Sequence, residues 1–202
     1  MTKLGNGDFE HERFENMQLE PGDSLNASFV ECAFSSCSFN EAKLRNCHFN
    51  SCVFQGCDLS LSDITGSSFP STQFENSKLL GINWTRASWS ALSIGRPPVF
   101  DKCLLNHSTF INLMLKGCRI VESTAREVDF RGANLSGANF RGTDLAGSLF
   151  NDTDLQGADF RGAQGYDIDP LENQLKGARF DLPEAIALLY SMDISLDDAG
   201  SM

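Results

Sequence analysis

The residues of this chain that could carry out chemistry are its seven cysteines, its three histidines and the aspartates towards the C-terminus. Cysteines and histidines at short, fixed spacings would indicate a metal or redox site. No Cys-x-x-Cys pair occurs, and His11, His48 and His107 share no ligand spacing with the cysteines. Aspartates such as Asp152 and Asp159 can act as an acid and base pair only where a pocket brings them together. These patterns therefore predict no metal, no cofactor and no enzyme.

The cysteines instead share one register of a five-residue period. Free cysteine packs as a small apolar residue, so we interpret these thiols as reduced core residues. Stacking twenty residues apart would bring Cys32 near Cys52, and Cys37 near Cys57, at close to disulfide distance. The reducing compartment that we expect argues against bridges. The seven positions are Cys32, Cys37, Cys47, Cys52, Cys57, Cys103 and Cys118.

The five-residue period runs through most of the chain. Every fifth residue is large and apolar from position 29 to position 94. The register then slips by one residue at positions 95–98. It resumes at Phe100 and continues to Phe160, and Ala125 is the one small member of this second run. A second series, two residues earlier, is mostly Ala, Cys, Ser or Thr. Period five matches neither the roughly 3.6-residue period of a helix nor the period of two of a strand. Stacked coils can bury such a series, because each large residue packs on its counterpart in the next coil.

The most regular repeats carry a family resemblance. Residues 128–142 read Val-Asp-Phe-Arg-Gly, Ala-Asn-Leu-Ser-Gly and Ala-Asn-Phe-Arg-Gly, which is close to the A-(D/N)-(L/F)-x-x consensus of pentapeptide-repeat proteins. The chain resembles this family over about residues 25–180. The resemblance implies an all-β fold, a right-handed quadrilateral β-helix of about eight coils with four pentapeptides in each coil. At a coil spacing of about 4.8 Å the rod would be about 38 Å long.

Stacking at twenty residues predicts which large residues share a column. Allowing for the slip of one residue, we expect one aromatic column of Phe29, Phe49, Phe69, Trp89, Phe110, Phe130 and Phe150. A different side should be lined by Leu44, Ile64, Trp84, Leu105 and Leu145. The slip is interpreted either as a bulged corner or as a loop on a rigid scaffold that contacts a partner. In the second case the contacts are Arg96, Pro97 and Pro98.

Three segments follow from where the repeat begins and ends. Residues 1–24 are expected to form an acidic N-terminal segment or cap, residues 25–180 the β-helix, and residues 181–202 a capping helix with a tail. The first residues show no apolar stretch typical of a secretory signal. No apolar run approaches the roughly 18 residues needed to cross a bilayer. We therefore expect a cytoplasmic protein.

The C-terminal helix has a recognisable start. Asp181 as the cap, Pro183 in the first turn and Glu184 three residues after the cap predict that the helix begins here. A solenoid must cover its last coil, so a capping role is expected. The family resemblance implies that such a helix also joins two copies into a rod of about 75–80 Å at the same spacing. The expected dimer contacts are Leu182, Ile186, Leu189 and Tyr190.

Negative charge is concentrated at the C-terminal end. The chain carries a net charge of −11 at pH 7. Residues 143–202 hold three Lys or Arg against twelve Asp or Glu, a net charge of −9, whereas residues 29–142 are at +2. A strongly acidic surface repels nucleic acid and attracts proteins that bind it. The alternative is a solvated face that aids solubility.

Within the family, the chain looks most like the topoisomerase-protecting branch, which includes the Qnr-type, microcin-resistance and albicidin-resistance proteins. The stretches that carry this likeness are residues 80–85 with Trp89, and residues 166–173 and 178–185. The branch implies a DNA-mimicking dimer that binds DNA gyrase, or topoisomerase IV, and protects it from inhibitors or toxins. The long projecting loops of many Qnr-type proteins have no obvious counterpart here.

On this hypothesis the protein contacts its partner through its acidic surface. The rival interpretation is a pentapeptide-repeat scaffold that binds some other protein. Neither interpretation includes direct binding to nucleic acid or to a membrane. The expected contact residues are Asp144, Asp152, Asp154, Asp159, Asp167 and Asp169.

Overall fold

The computed structural model describes residues 7–89 and 96–196, which form a parallel β-solenoid with a short helical segment at the C-terminal end. Its strands are two or three residues long, because each side of a coil has room for one pentapeptide. The strands are β1 (Asp8–Glu10), β2 (Arg13–Glu15), β3 (Ser24–Leu25), β4 (Ser28–Val30), β5 (Ala33–Ser35), β6 (Lys43–Leu44), β7 (His48–Asn50), β8 (Val53–Gln55), β9 (Gln73–Glu75), β10 (Val99–Asp101) and β11 (Arg119–Val121).

The strands stack in register along the rod. Strands β1, β4 and β7 form one parallel sheet, in which Phe29 pairs with Phe9 and with Phe49, twenty residues away on either side. Strands β2, β5, β8, β9, β10 and β11 form a second sheet, and β3 with β6 a third. A twenty-residue repeat of pairing holds four pentapeptides in each coil, so the expected fold class is confirmed.

The expected number of coils is wrong for the part of the rod that is built from strands. The longest sheet contains six strands joined by five coil-to-coil steps, so regular strand pairing spans roughly five coils rather than eight. Beyond Val121 the parallel pairing continues only as isolated bridges, such as that between Asp159 and Arg179. Between these bridges lie hydrogen-bonded turns, such as the one in which the Ala133 N–H donates to the carbonyl of Phe130.

The ladder also includes residues that we assigned to an N-terminal cap. Asp8 pairs with Ser28, and the ring of Phe14 stacks on that of Phe34 with the centroids 5.0 Å apart. The first coil therefore uses the same packing as the coils that follow it.

The irregularity near position 95 is larger than a slip of one residue. Phe74 pairs with Phe100, twenty-six residues later, instead of with a residue twenty positions later. The Ser88 N–H donates to the carbonyl of Ser67 in the preceding coil, which is the ordinary spacing between coils. The Ser71 N–H donates to the carbonyl of Arg96 in the next coil, which is six residues more than the ordinary spacing. Six extra residues therefore enter between positions 88 and 96. The predicted inward residues Leu92 and Ile94, and Gly95 at the slip, lie outside the described residues.

The insertion changes the columns of the core, and the predicted aromatic column is wrong from Phe110 onward. Six residues are one pentapeptide plus one residue. Every later residue therefore lies one side of the rod away from the side that a slip of one residue predicts. The Trp84 ring stacks on Phe110 with centroids 5.5 Å apart and planes 10° from parallel. Phe110 continues to Phe130. Leu105 is likewise not beside Trp84, because its neighbour Leu104 pairs with Lys78.

The small inward residues do more than leave room for the large ones. The Ser67 hydroxyl donates to the carbonyl of Leu44 in the preceding coil at 2.5 Å, and accepts from the N–H of Cys47 at 2.8 Å. Six of the seven cysteines donate in the same way, for example from Cys52 Sγ to the carbonyl of Phe29 at 3.4 Å. This second, side-chain ladder satisfies buried main-chain groups that a turn would otherwise leave unpaired.

The interpretation of the cysteines as core residues is confirmed. All seven are buried and free. Burial raises the pKa of Cys52, Cys103 and Cys118 to about 12, because the core disfavours the thiolate. These groups therefore stay protonated near neutral pH.

Removing one hydroxyl of the side-chain ladder tests its contribution to stability. Ser148 Oγ donates to the carbonyl of Ala125 at 2.6 Å and accepts from the N–H of Val128 at 3.0 Å. Ser148→Ala leaves both buried groups unpaired, so we expect the free energy of unfolding in urea to fall by about 1–3 kcal/mol. The control Ser136→Ala, at an outward position, should change it by less than about 0.5 kcal/mol. Equal effects of the two substitutions would contradict this role.

The corners require left-handed backbone, which glycine adopts most readily. Gly117 has φ of +71° with open space beside it, whereas a Cβ on Gly165 (φ +69°) would lie 3.0 Å from the Cβ of Ala146. Gly117→Ala should cost about 1–2 kcal/mol of unfolding free energy from backbone strain alone. Gly165→Ala should cost measurably more in the same urea titration, and an equal cost would show that the coils separate freely at this corner.

Candidate protein-interaction surface

The six predicted aspartates do not form one patch. Isolated bridges place Asp144, Asp154 and Asp159 in three separate ladders along the rod. Asp154 and Asp159 belong to consecutive pentapeptides and hence to adjacent sides, whereas Asp144 lies two pentapeptides before Asp154, on the opposite side. A flat partner surface cannot contact all of them at once.

Two of the six are already neutralised by arginine. Asp144 lies 2.6 Å from Arg126 Nη2, and Asp159 lies 2.6 Å from Arg161 and 3.8 Å from Arg141. Hydrogen bonding from Arg161 lowers the pKa of Asp159 to about 2, and Arg126 lowers the pKa of Asp144 in the same way. These two carboxylates contribute less to an acidic surface than the sequence indicates.

The other four keep their charge unpaired within the described part of the chain. Asp152 and Asp167 are exposed and form no ion pair there. Asp154 Oδ1 accepts from the N–H of Gln156 at 3.1 Å, and Asp169 Oδ1 from the N–H of Leu171 at 2.7 Å. Main-chain donors hold these two side chains in place without removing their charge.

Three of these carboxylates gather with two that sequence reasoning missed. A cavity of about 670 Å³ at the C-terminal end is lined by Asp167, Asp169, Glu172 and Asp193, and no basic residue is among its lining. The Asp152 N–H donates to the carbonyl of Glu172 at 3.0 Å, which places Asp152 at the same end. We call Asp152, Asp167, Asp169, Glu172 and Asp193 the acidic end cluster. Glu172 and Asp193 lie outside the regular repeats, so no register pointed to them.

The C-terminal segment covers the last coil as a 3-10 helix at Glu184–Ile186, followed by α1 at Ala187–Tyr190. Leu188 packs against the core, and Ser191 Oγ donates to the carbonyl of Ile168 at 3.1 Å. The predicted helix cap is wrong. Asp181 Oδ2 accepts instead from the N–H of Gly162 at 2.9 Å, and no side chain caps the first turn. The Asp181 carboxylate therefore binds the last coil instead of capping the helix.

The outer side of this cap is apolar and exposed. Of the predicted dimer contacts, Leu182 is 77 % exposed and Tyr190 58 % exposed, Leu189 is exposed, and Ile186 is half-buried. Three further large apolar residues of the same end are exposed, and we call the whole set the apolar cap surface. It consists of Leu171, Leu182, Leu189, Tyr190, Ile194 and Leu196.

The three residues of the predicted loop contact differ in accessibility. Arg96 is exposed and Pro97 is half-buried, but Pro98 is buried at a small inward position, so its side chain is unavailable to a partner. The Arg96 N–H donates to Ser71 Oγ at 3.2 Å, and the Ser71 N–H donates to the carbonyl of Arg96 at 2.8 Å. The segment is therefore fastened to the coil before it.

Two further observations concern residues 7–89 and 96–196 alone. They contain no group of three or more His, Cys, Asp or Glu arranged to hold a metal ion. They also contain no helix with the length and apolar character that crossing a membrane requires.

The Asp159 ion pairs predict a pH-dependent contribution to stability. Because the pKa of Asp159 is lowered to about 2 in the folded chain, its contribution is present above the ordinary carboxyl pKa and is lost as the pH falls through about 2. We expect Asp159→Asn to lower the free energy of unfolding by about 0.5–1 kcal/mol at pH 7, allowing for solvent screening. The difference from wild type should disappear near pH 2. The control Asp154→Asn removes an unpaired carboxylate, so a loss as large as that of Asp159→Asn would contradict the assignment.

Known proteins share the repeat and the fold. The family model "Pentapeptide repeat region" matches residues 27–97, and "Pentapeptide repeats (8 copies)" matches residues 129–164, together more than half of the chain. Among curated protein sequences, none matches this chain.

One solved structure shares the fold at a TM-score above 0.5, and two others are similar at lower scores. A trypsin-treated variant of QnrB1, a plasmid-mediated fluoroquinolone resistance protein, is similar at a TM-score of 0.51 and 19 % identity over 97 % of this chain and 100 % of that one. Full-length QnrB1 has a TM-score of 0.45 at 18 % identity, with 93 % and 100 % covered. HetL, which is involved in heterocyst differentiation regulation in the cyanobacterium Nostoc sp. strain PCC 7120, has a TM-score of 0.36 at 20 % identity, with 86 % and 88 % covered. The repeat, the ladder and the family models agree, and the chain belongs to the pentapeptide-repeat family.

Proposed function

We propose that the protein is a homodimer, joined through its C-terminal ends, that binds DNA gyrase or topoisomerase IV and protects the enzyme from an inhibitor or toxin. The observation that carries this proposal is the position of the acidic end cluster directly beside the apolar cap surface. The proposal includes no catalytic step.

The apolar cap surface supports the dimer. Six of the ten large apolar side chains exposed in the described residues lie between positions 171 and 196. Contiguous exposed apolar surface is typical of an interaction site, and two copies of one patch can cover each other about a two-fold axis. Tyr190 lines both this surface and the acidic cavity, so joining two caps would bring two acidic end clusters close together.

The charge supports mimicry of nucleic acid. A topoisomerase must attract a duplex that carries one negative charge per about 1.7 Å of its axis. Carboxylates without an ion-pair partner, at the middle of a double-length rod, present the same sign of potential to that surface. Asp144 and Asp159, which are paired with arginines, are minor contributors on this proposal.

The family likeness supports the partner. QnrB1 is a fluoroquinolone resistance protein, and residues 166–173, which carry the resemblance to the topoisomerase-protecting branch, contain three members of the acidic end cluster. Residues 80–85, which also carry the resemblance, have a structural role instead. Trp84 is buried, and Asn83 Oδ1 accepts from the N–H of Thr85 at 3.1 Å, so this stretch supports the core.

The alternative is a scaffold that binds a different protein through the same end. A repeat rod with an apolar cap and an acidic end suits any basic, partly apolar partner. Binding to purified gyrase distinguishes the two candidate functions.

A supercoiling assay tests the proposal. With purified gyrase, a quinolone or a peptide toxin, and increasing amounts of the protein, we expect supercoiling to be restored. A variant with Asp167→Asn, Asp169→Asn and Glu172→Gln should need at least about tenfold more protein, the equivalent of about 1.4 kcal/mol. The matched control neutralises three carboxylates at the opposite end, with Glu10→Gln, Glu12→Gln and Glu15→Gln, and should behave as wild type.

Sedimentation tests the proposed dimer independently of gyrase binding. Leu189→Asp with Tyr190→Asp should give a folded monomer that protects poorly. A folded wild-type dimer that neither binds gyrase nor alters inhibition would exclude gyrase and favour the scaffold. A wild-type protein that sediments as a monomer would contradict the dimer itself.

A further inference from the structure

A second cavity lies where the six extra residues enter the rod. It has a volume of about 740 Å³ and extends over three successive coils, within the range of sites that bind ligands. Its floor is formed by β9, β10 and β11, whose residues Gln73, Val99 and Arg119 stack in register. We call it the insertion groove. Its lining also includes Ser71, Glu75, Arg96, Pro97, Asp101, Lys116 and Gly117.

The charged residues of the insertion groove are sorted by sign. Arg96 and Lys116 lie twenty residues apart, in one column on one edge of the groove, and Arg119, on β11, lies in the central column as the register partner of Val99. On the opposite edge, Glu75 and Asp101 are direct register partners in adjacent strands. Like charges opposite each other in a β-ladder are destabilising, so this arrangement costs folding free energy.

Elsewhere along the rod, neighbouring coils place opposite charges together. Lys102 lies 3.4 Å from Glu122, and Arg126 lies 2.6 Å from Asp144. In the insertion groove, by contrast, none of the five charged residues forms an ion pair with any residue of the described ranges. Both edges therefore keep their charge available to a ligand.

Main-chain groups contribute little to recognition in this groove. The Val99 N–H donates to the carbonyl of Thr72, and the carbonyl of Asp101 accepts from the N–H of Asn76. Recognition therefore falls to side chains. Pro97 and Val99 are half-buried and offer apolar surface between the two charged edges.

We propose that the insertion groove binds a peptide segment of a partner protein in which acidic residues are separated from basic residues by a short apolar stretch. The acidic residues pair with Arg96, Lys116 and Arg119, the apolar stretch lies on Pro97 and Val99, and the basic residues pair with Glu75 and Asp101. A phosphate chain fits less well, because the two carboxylates of the acidic edge repel it. This site is separate from the acidic end cluster and does not depend on the proposed function.

Fluorescence anisotropy of a labelled peptide tests the proposal. The probe is fluorescein-Glu-Glu-Leu-Ala-Leu-Lys-Lys, and its control is the same composition with the charges interleaved, fluorescein-Lys-Glu-Leu-Ala-Leu-Glu-Lys. We expect the sorted peptide to bind at least about tenfold more tightly than the interleaved one, a difference of about 1.4 kcal/mol. No gyrase is present, so the outcome is independent of the supercoiling assay.

Variants locate the site. Lys116→Glu with Arg119→Glu should weaken binding of the sorted peptide at least about tenfold, and Asp101→Lys should weaken it from the other edge. The matched control is Lys176→Glu, an exposed residue of the same column three coils further on, which should leave binding unchanged. Circular dichroism confirms that each variant is folded. The proposal is overturned if the sorted peptide does not bind at about 1 mM, if both peptides bind equally, or if Lys176→Glu weakens binding as much as the groove variants.

Discussion

The structure depends on the pairing of each coil with the next. The inward rings stack, as between Phe54 and Phe74 with centroids 5.0 Å apart, and the small residues donate to the carbonyls of the preceding coil. Stacking alone would fill the core, but it would leave buried main-chain groups unpaired at the corners. The two ladders together leave three outward positions in each pentapeptide free to vary. This is why a surface of any charge can be placed on the same rod.

The charge of the surface therefore depends on which residues stack in one column along the rod, rather than on which residues are neighbours in sequence. Arg126 reaches Asp144 across eighteen positions, and Glu75 faces Asp101 across twenty-six. One column neutralises its charge and the other concentrates it. The acidic end cluster and the insertion groove both lie where regular repetition is interrupted, the first at the last coil and the second at the six extra residues.

The five-residue period predicts which side chains point inward, because burial follows the period directly. It does not predict which side of the rod they occupy after position 89. An insertion of six residues leaves the same phase as an insertion of one, so Phe110 could not be matched with Trp84 from the sequence. The charge at the C-terminal end was predictable by counting, but the pairing of Asp159 with Arg161 and the roles of Glu172 and Asp193 were not. These depend on the path of the chain after the last repeat, where no register applies.

The positions of side chains on the rod depend on the twenty-six-residue step between Phe74 and Phe100, since that step sets which residues share a side. A crystal structure measures it directly. We expect the rings of Phe74 and Phe100 to be parallel with centroids about 5.3 Å apart, and Trp84 to lie on Phe110. A crystal structure in which Phe74 stacks on a residue twenty positions later would contradict the assignment of sides after position 89, and with it the insertion groove.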